Sequence, residues 1–320
     1  METAKMTGVD PDLQKILPLL PLRDAATLTP ARARAELVAL AESRKDVPLP
    51  EVASVEDIMV DGAAGPIPAR RYATGRRPAP TVVYFHGGGW VAGDLTTHER
   101  QARTLALELD GVVVSVDYRR PPETPFPGAY EDCLAAVKWA AAKIGTLGGD
   151  AARLGVAGDS AGANLAAAVA QGCRAGGPPI RAQLLVYPAT DLAGRYGVEA
   201  ENAKFPSRQQ NADGYFLTGG AMRFFAGHYL PRPQDGEDPR ASPLRGTLAG
   251  LPTAVICTAE FDPLRDEGEA YAEALKRAGV RVAYFREPGM VHGYFGMGGA
   301  SPAADAARQR ATAAFREMLG

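Results

Sequence analysis

The chain has 320 residues, 46% hydrophobic and 22% charged, a balance at which a soluble globular protein buries a sizeable core. Its 35 Lys and Arg against 37 Asp and Glu leave a net charge of −2, and no basic run is interleaved with aromatics, which argues against a nucleic-acid partner. Length alone admits one large α/β domain or two ordinary ones.

The chain starts with an apolar patch, "ILPLLPL" (16–22), that is short, broken by prolines and flanked by charges. It suits neither a signal-peptide core nor a membrane span. The segments "DPDLQKILPLL" and "TPARARAELVALAESR" read as two helices before any strand. After them, short apolar runs recur: "TVVYF" (81–85), "VVVSVDY" (112–118), "RLGVAG" (153–158), "QLLVYP" (183–188), "TAVICTA" (253–259) and "RVAYF" (281–285). Continuous apolar runs of this length fit strands buried on both faces. Helical patterns lie between and after them, at about 96–109, 128–144, 161–175, 265–278 and 302–318. The alternation predicts one domain with a mostly parallel, doubly wound sheet. Residues 1–45 and about 190–250 fall outside it; the second segment carries a helical "LTGGAMRFFAGHYL" (217–230). Segments of this length with no place in the sheet suit a cap over a site. Apolar side chains available to such a cap are Ile16, Leu17, Leu20, Phe205, Phe216, Met222, Phe224 and Phe225.

Cys133, Cys173 and Cys257 are too scattered for a disulfide framework or a CxxC metal site. Buried packing roles and a reducing cytoplasm are expected for them.

Ser160 sits in G-x-S-x-G, from Gly158 to Gly162, between a predicted strand and a predicted helix. Glycines flanking a tight strand-to-helix turn leave a serine hydroxyl exposed at the carboxyl edge of a sheet. A serine hydroxyl is a weak nucleophile and needs an imidazole base oriented by a carboxylate. In such sites the order along the chain is Ser, acid, His. Of the four histidines, His86 and His98 precede Ser160, and His228 lies in the cap-like helix. His292, in the Gly-rich "EPGMVHGYFGM", follows a predicted strand and is the expected base. Asp262, just after "TAVICTA", is the expected acid. Asp266 and Glu267 are its competitors, although they fall in the first turn of the next helix, where acids suit the dipole. In "YFHGGGWVAGD" (84–94), consecutive glycines let backbone N–H groups face a substrate oxygen. Gly88 and Gly89, with the N–H of Ala161, are the expected oxyanion donors, while His86 and Asp159 are expected to brace the loop and the turn.

"HGGGW", "VDYRRPPETPFPGAYED", "GDSAGANLAAA", "YPATD", "ASPLRG", "AEFDPLRDEGEAYAEALKRAGV" and "GMVHGYF" together resemble the hormone-sensitive-lipase family of bacterial carboxylesterases, from about residue 50 to 318. The resemblance implies an α/β-hydrolase fold, a mostly parallel sheet flanked by helices, with a cap from the N-terminal helices and the 190–250 insertion. It implies a serine carboxylesterase that hydrolyses short- to medium-chain acyl esters through an acyl-enzyme. No cofactor and no metal are expected, the partner is a small-molecule ester, and a homodimer is compatible with it. Where the family pattern reads R-L-A-P-E, this chain has Arg119, Arg120, Pro121, Pro122 and Glu123, and Ala163 replaces a glycine. The same machinery also serves amides and lactones. Plant gibberellin receptors resemble the family too but lack a complete triad, and the presence of His292 separates this chain from them.

Overall fold

The apolar runs form strands, and a hairpin precedes them. In the computed structural model, which describes residues 8–20 and 25–320, the strands are β1 (Ser54–Gly62), β2 (Gly65–Ala73), β3 (Ala79–Phe85), β4 (Val112–Val116), β5 (Gly149–Asp159), β6 (Ala182–Val186), β7 (Thr253–Phe261) and β8 (Val282–Val291). They make one sheet in the order β1-β2-β4-β3-β5-β6-β7-β8. From β4 to β8 all neighbours are parallel, whereas β1–β2 and β2–β4 pair antiparallel. The mostly parallel sheet matches the sequence reading; the hairpin is an addition to it. Its strands are half-exposed and carry Glu56, Asp57, Pro66, Pro68 and Arg70, so they lack a continuous apolar run.

Side chains alternate between two cores, as strand geometry requires. Along β3, Val83 and Phe85 join one apolar cluster and Val82 and Tyr84 join the other. The first cluster takes in α4 (Gly128–Ala142), α5 (Ala161–Arg174) and α9 (Arg265–Arg277); the second takes in α3 (Glu99–Leu109) and α10 (Pro302–Leu319). With both faces covered, strands gain by being apolar throughout.

Helix starts follow local chemistry. Asp10, Thr29 and Ser301 accept backbone N–H groups ahead of α1 (Pro11–Ile16), α2 (Pro30–Glu42) and α10, each with proline in the first turn. The first expected helix ends earlier than its apolar pattern, at Ile16, and continues as a 3-10 turn over Leu17–Leu19. Leu17 and Leu20 are buried in the α3/α10 cluster, with Ile16 packed against it. These three side chains therefore serve the core, because the short helix turns its apolar side down onto it.

Between β6 and β7 lie α6 (Glu199–Asn202), α7 (Ser207–Gln210) and α8 (Gly219–Tyr229). This stretch is tied to α9 by a buried ion pair: Arg208 Nη2 lies 2.6 Å from Glu267 Oε2, and the same nitrogen donates to the Asp191 carbonyl. The guanidinium stacks between the rings of Phe205 and Tyr196, at 4.3 and 4.7 Å. Removing one partner strands the other charge in the interior. Arg208→Met, which preserves bulk, should cost about 3–5 kcal/mol in urea denaturation; a loss below about 1 kcal/mol would show that solvent screens the pair.

Candidate active site

Everything in the site hangs on the turn after β5. Ser160 has φ 56° and ψ −119°, and α5 begins at the next residue. A non-glycine residue with positive φ is strained and persists only where its surroundings enforce it. Two features enforce it here: Ser160 N–H donates to the Val186 carbonyl of the neighbouring strand, at 2.9 Å, and α5 crosses hard against the end of β3. A Cβ at Gly162 would overlap the Phe85 carbonyl, so no larger residue allows this crossing.

Three side chains from three strand ends form a hydrogen-bonded chain. His292 Nε2 is 2.9 Å from Ser160 Oγ, and His292 Nδ1 is 2.7 Å from Asp262 Oδ2. A carboxylate only accepts, so Nδ1 carries the proton and Nε2 is left to accept from the hydroxyl. Asp262 is fully buried after β7, and its Oδ1 accepts from Leu264 N–H at 2.8 Å. The competitors lie elsewhere: Asp266 accepts from Ser207 N–H and pairs with Arg265, and Glu267 holds Arg208.

Gly88 and Gly89 lie in the loop after β3, beside Ser160 and Ala161 in one cavity wall. Among the described residues, the N–H groups of Gly88, Gly89 and Ala161 have no protein acceptor. Gly89 has φ 61°, and a Cβ there would run into the ring of Phe225. The loop is braced from below. Asp159 Oδ1 accepts from Tyr84 Oη at 2.6 Å and from Gly87 N–H at 3.0 Å. Burial alone would raise the Asp159 carboxyl, but His98, with Tyr84 and His86, outweighs it and holds the group below its ordinary value. His86 donates from Nδ1 to the Gly87 carbonyl at 2.8 Å, and burial pushes its imidazole well below the ordinary value. Trp90 donates to Asn164 Oδ1 on α5 and stacks on Tyr229. His228 donates from Nδ1 to its own helix, at the Phe224 carbonyl, away from the site.

The cavity measures about 450 Å³. Of the apolar residues assigned to a cap from the sequence, Phe216, Met222 and Phe225 line it; Phe205 stacks on Arg208, and Phe224 packs on His228. Sequence reasoning missed Leu37 and Leu40 of α2, which also line the cavity, and Tyr187, whose ring lies 4.5 Å from that of His292. No periodicity distinguishes a wall residue from a core residue on an amphipathic helix. Among the described residues, no group of three or more His, Cys, Asp or Glu could hold a metal, and no helix is long and apolar enough to cross a membrane.

A family described by the alpha/beta hydrolase fold matches residues 82–296. Esterase LipI of Mycobacterium tuberculosis is 41% identical over 98% of this chain and 96% of its own length. Carboxylesterase NlhH of the same organism is 40% identical over 99% and 98%. Among solved structures, a thermostable esterase from Pseudomonas putida superposes with a TM-score of 0.89 at 38% identity, covering 98% of each chain. A hyperthermophilic esterase from the archaeon Pyrobaculum calidifontis gives 0.89 at 37%, covering 98% of this chain and 100% of that one.

The tight crossing at Gly162 gives a direct test of the turn. Gly162→Ala should destabilise the protein by about 1–3 kcal/mol through overpacking against backbone and displace Ser160; thermal denaturation and ester hydrolysis measure the two effects. An unchanged melting temperature would contradict the crossing described above.

Proposed function

The chain belongs to the alpha/beta hydrolase family and is a carboxylic ester hydrolase, and on that premise we propose that it works through Ser160, His292 and Asp262 with an acyl-enzyme intermediate. The observation that carries this reading is the unbroken chain Oγ–Nε2, 2.9 Å, and Nδ1–Oδ2, 2.7 Å.

In this reaction His292 Nε2 takes the Ser160 proton as Oγ attacks the ester carbonyl carbon. The negative charge on the carbonyl oxygen faces the N–H groups of Gly88, Gly89 and Ala161. Each such donor is worth about 10²–10³ in rate when it is preorganised away from water. The imidazolium, stabilised by Asp262, returns the proton to the departing alcohol. Water then attacks the acyl-enzyme by the same route and frees Ser160.

The chain acts as a single α/β-hydrolase domain in which α2 and parts of 190–250 cap the site. Apolar walls and a volume of about 450 Å³ support acyl esters of short to medium chain as substrates. Helix α2 is held in place by Arg34, whose guanidinium makes paired contacts with Glu123, at 2.8 and 2.6 Å, and reaches the carbonyls of Val91 and Pro121. The free, buried thiols are in keeping with a cytoplasmic location.

Three experiments test the reading. Ser160→Ala should fold normally yet lose nearly all hydrolysis of p-nitrophenyl esters, and an organophosphate should label Ser160 alone by peptide mapping; wild-type activity in the variant would defeat it. Asp262→Asn should cost up to about 10⁴ in kcat while Asp266→Asn leaves kcat nearly intact, and the reverse ranking would transfer the acid's role. For the cap, Arg34→Ala should broaden the acyl-length profile with the fold intact by circular dichroism. An unchanged profile would remove α2 from substrate selection.

A further inference from the structure

The carboxylate of Asp262 is oriented by a short loop whose own restraint comes mainly from outside the sheet. The β7–β8 ladder shifts register between Ala259 and Phe261, and its last pair is Phe261 with Val291, so Asp262 leaves the sheet unpaired. From there to α9 the backbone meets α7 and the residue after it. Asn211 Nδ2 donates to the Asp262 carbonyl at 3.1 Å and to the Glu260 carbonyl at 3.4 Å. Ser207 Oγ donates to the Pro263 carbonyl at 2.8 Å and accepts from Asp266 N–H at 3.1 Å. Ser207 N–H in turn donates to Asp266 Oδ2 at 2.7 Å. Gln210 Oε1 accepts from Arg265 Nη2 at 3.0 Å. Both Ser207 and Asn211 are buried, and neither lines the cavity.

We infer that Ser207 and Asn211 form a clamp that positions Asp262 for the hydrolysis, acting on the loop backbone and not on substrate. This rests on the assignment of Asp262 as the acid. The physical argument is one of tolerance. The carboxylate holds one loop N–H with Oδ1 and the imidazole with Oδ2, so its aim follows the φ and ψ of residues 261–263. Two buried polar side chains, bonded to the carbonyls around that aim, restrain those angles together with Arg265, whose N–H donates to the Asp262 carbonyl and whose Nη1 donates to the Glu260 carbonyl, both at 3.1 Å. A small drift of the loop lengthens the Nδ1–Oδ2 contact and weakens the hold that orients His292 toward Ser160. The charged groups around the loop are Glu260, Arg265, Asp266, Glu267 and Arg208, and neither substitution removes one of them.

The decisive measurement is a double-mutant cycle on kcat between Asn211→Ala and Asp262→Asn, with the folded fraction of each variant measured by circular dichroism. Asn211→Ala alone should lower kcat by between about tenfold and 10²-fold and leave KM within about twofold. In the Asp262→Asn background the same change should cost nothing further, because the two act through one contact. Ser207→Ala should behave in the same way, with Ser207→Thr, which keeps the hydroxyl, recovering kcat. An equal loss in both backgrounds, a rise in KM at constant kcat, or a lowered melting temperature with unchanged kcat would each overturn the clamp. An Asp262→Asn enzyme with wild-type kcat would instead defeat the acid assignment, a different failure. Normalising kcat to the folded fraction keeps the comparison valid where part of a variant fails to fold.

Discussion

The constraint on which the rest depends is the strained backbone of Ser160. A residue at φ 56° can persist only where the chain before and after it is fixed. β5 supplies the first anchor, since it lies between β3 and β6 in the interior of the sheet, and α5 supplies the second by crossing against the Phe85 carbonyl. Parallel strands share one direction, so their carboxyl ends gather on one edge. Ser160 follows β5, the glycine loop follows β3, Asp262 follows β7 and His292 follows β8. One edge of one sheet thus brings four distant stretches of chain within hydrogen-bond reach.

Burying so many polar groups at that edge is costly unless each finds partners. Asp159 shows how the cost is offset. It stands beside the strained serine, yet its carboxylate serves Tyr84 and Gly87 and so couples the turn to the loop that faces Ser160. Asn164, one turn along α5, does the same on the other side, accepting from Trp90 and donating to the carbonyls of Ala189 and Ala241. The two residues make the glycine loop, the Ser160 turn and the 190–250 stretch parts of one network. Preorganisation of this kind is what lets backbone N–H groups act on a developing charge without reorganising.

What could be read from the sequence was whatever leaves a local trace. Doubly buried strands announce themselves as unbroken apolar runs, and a turn as tight as that at Ser160 needs glycine at Gly162. The edge hairpin left no such trace, because half-exposed strands tolerate Glu56, Asp57, Arg70 and two prolines. The assignment of apolar residues to core or cavity failed for Ile16, Leu17 and Leu20 for another reason. Both environments select the same side chains, and only the path of the chain decides between them. Asn211 and Ser207 were invisible for a third: their partners are main-chain carbonyls and N–H groups at residues 260–266, and a bond to backbone leaves no mark on the identity of the partner residue.

The stretch between β6 and β7 consequently has two parts with different physical duties. Residues 191–211 are locked to α9 and to the loop after β7 by Arg208, Ser207 and Asn211, all buried and all bonded to fixed groups. Residues 216–225 touch the cavity through aromatic and aliphatic side chains, whose packing is nondirectional and tolerant of exchange. Phe225 marks the boundary, since it packs where a Cβ on Gly89 would otherwise lie. A change at the partly buried Phe216 or Leu217 alters cavity shape at less cost to the fold than one at Met222 or Phe225, which also pack in the core, while a change in 207–211 would disturb the proposed acid. In the proposed enzyme, substrate range and the chemical step are carried by separate lengths of one connecting segment, so the first can vary without loss of the second.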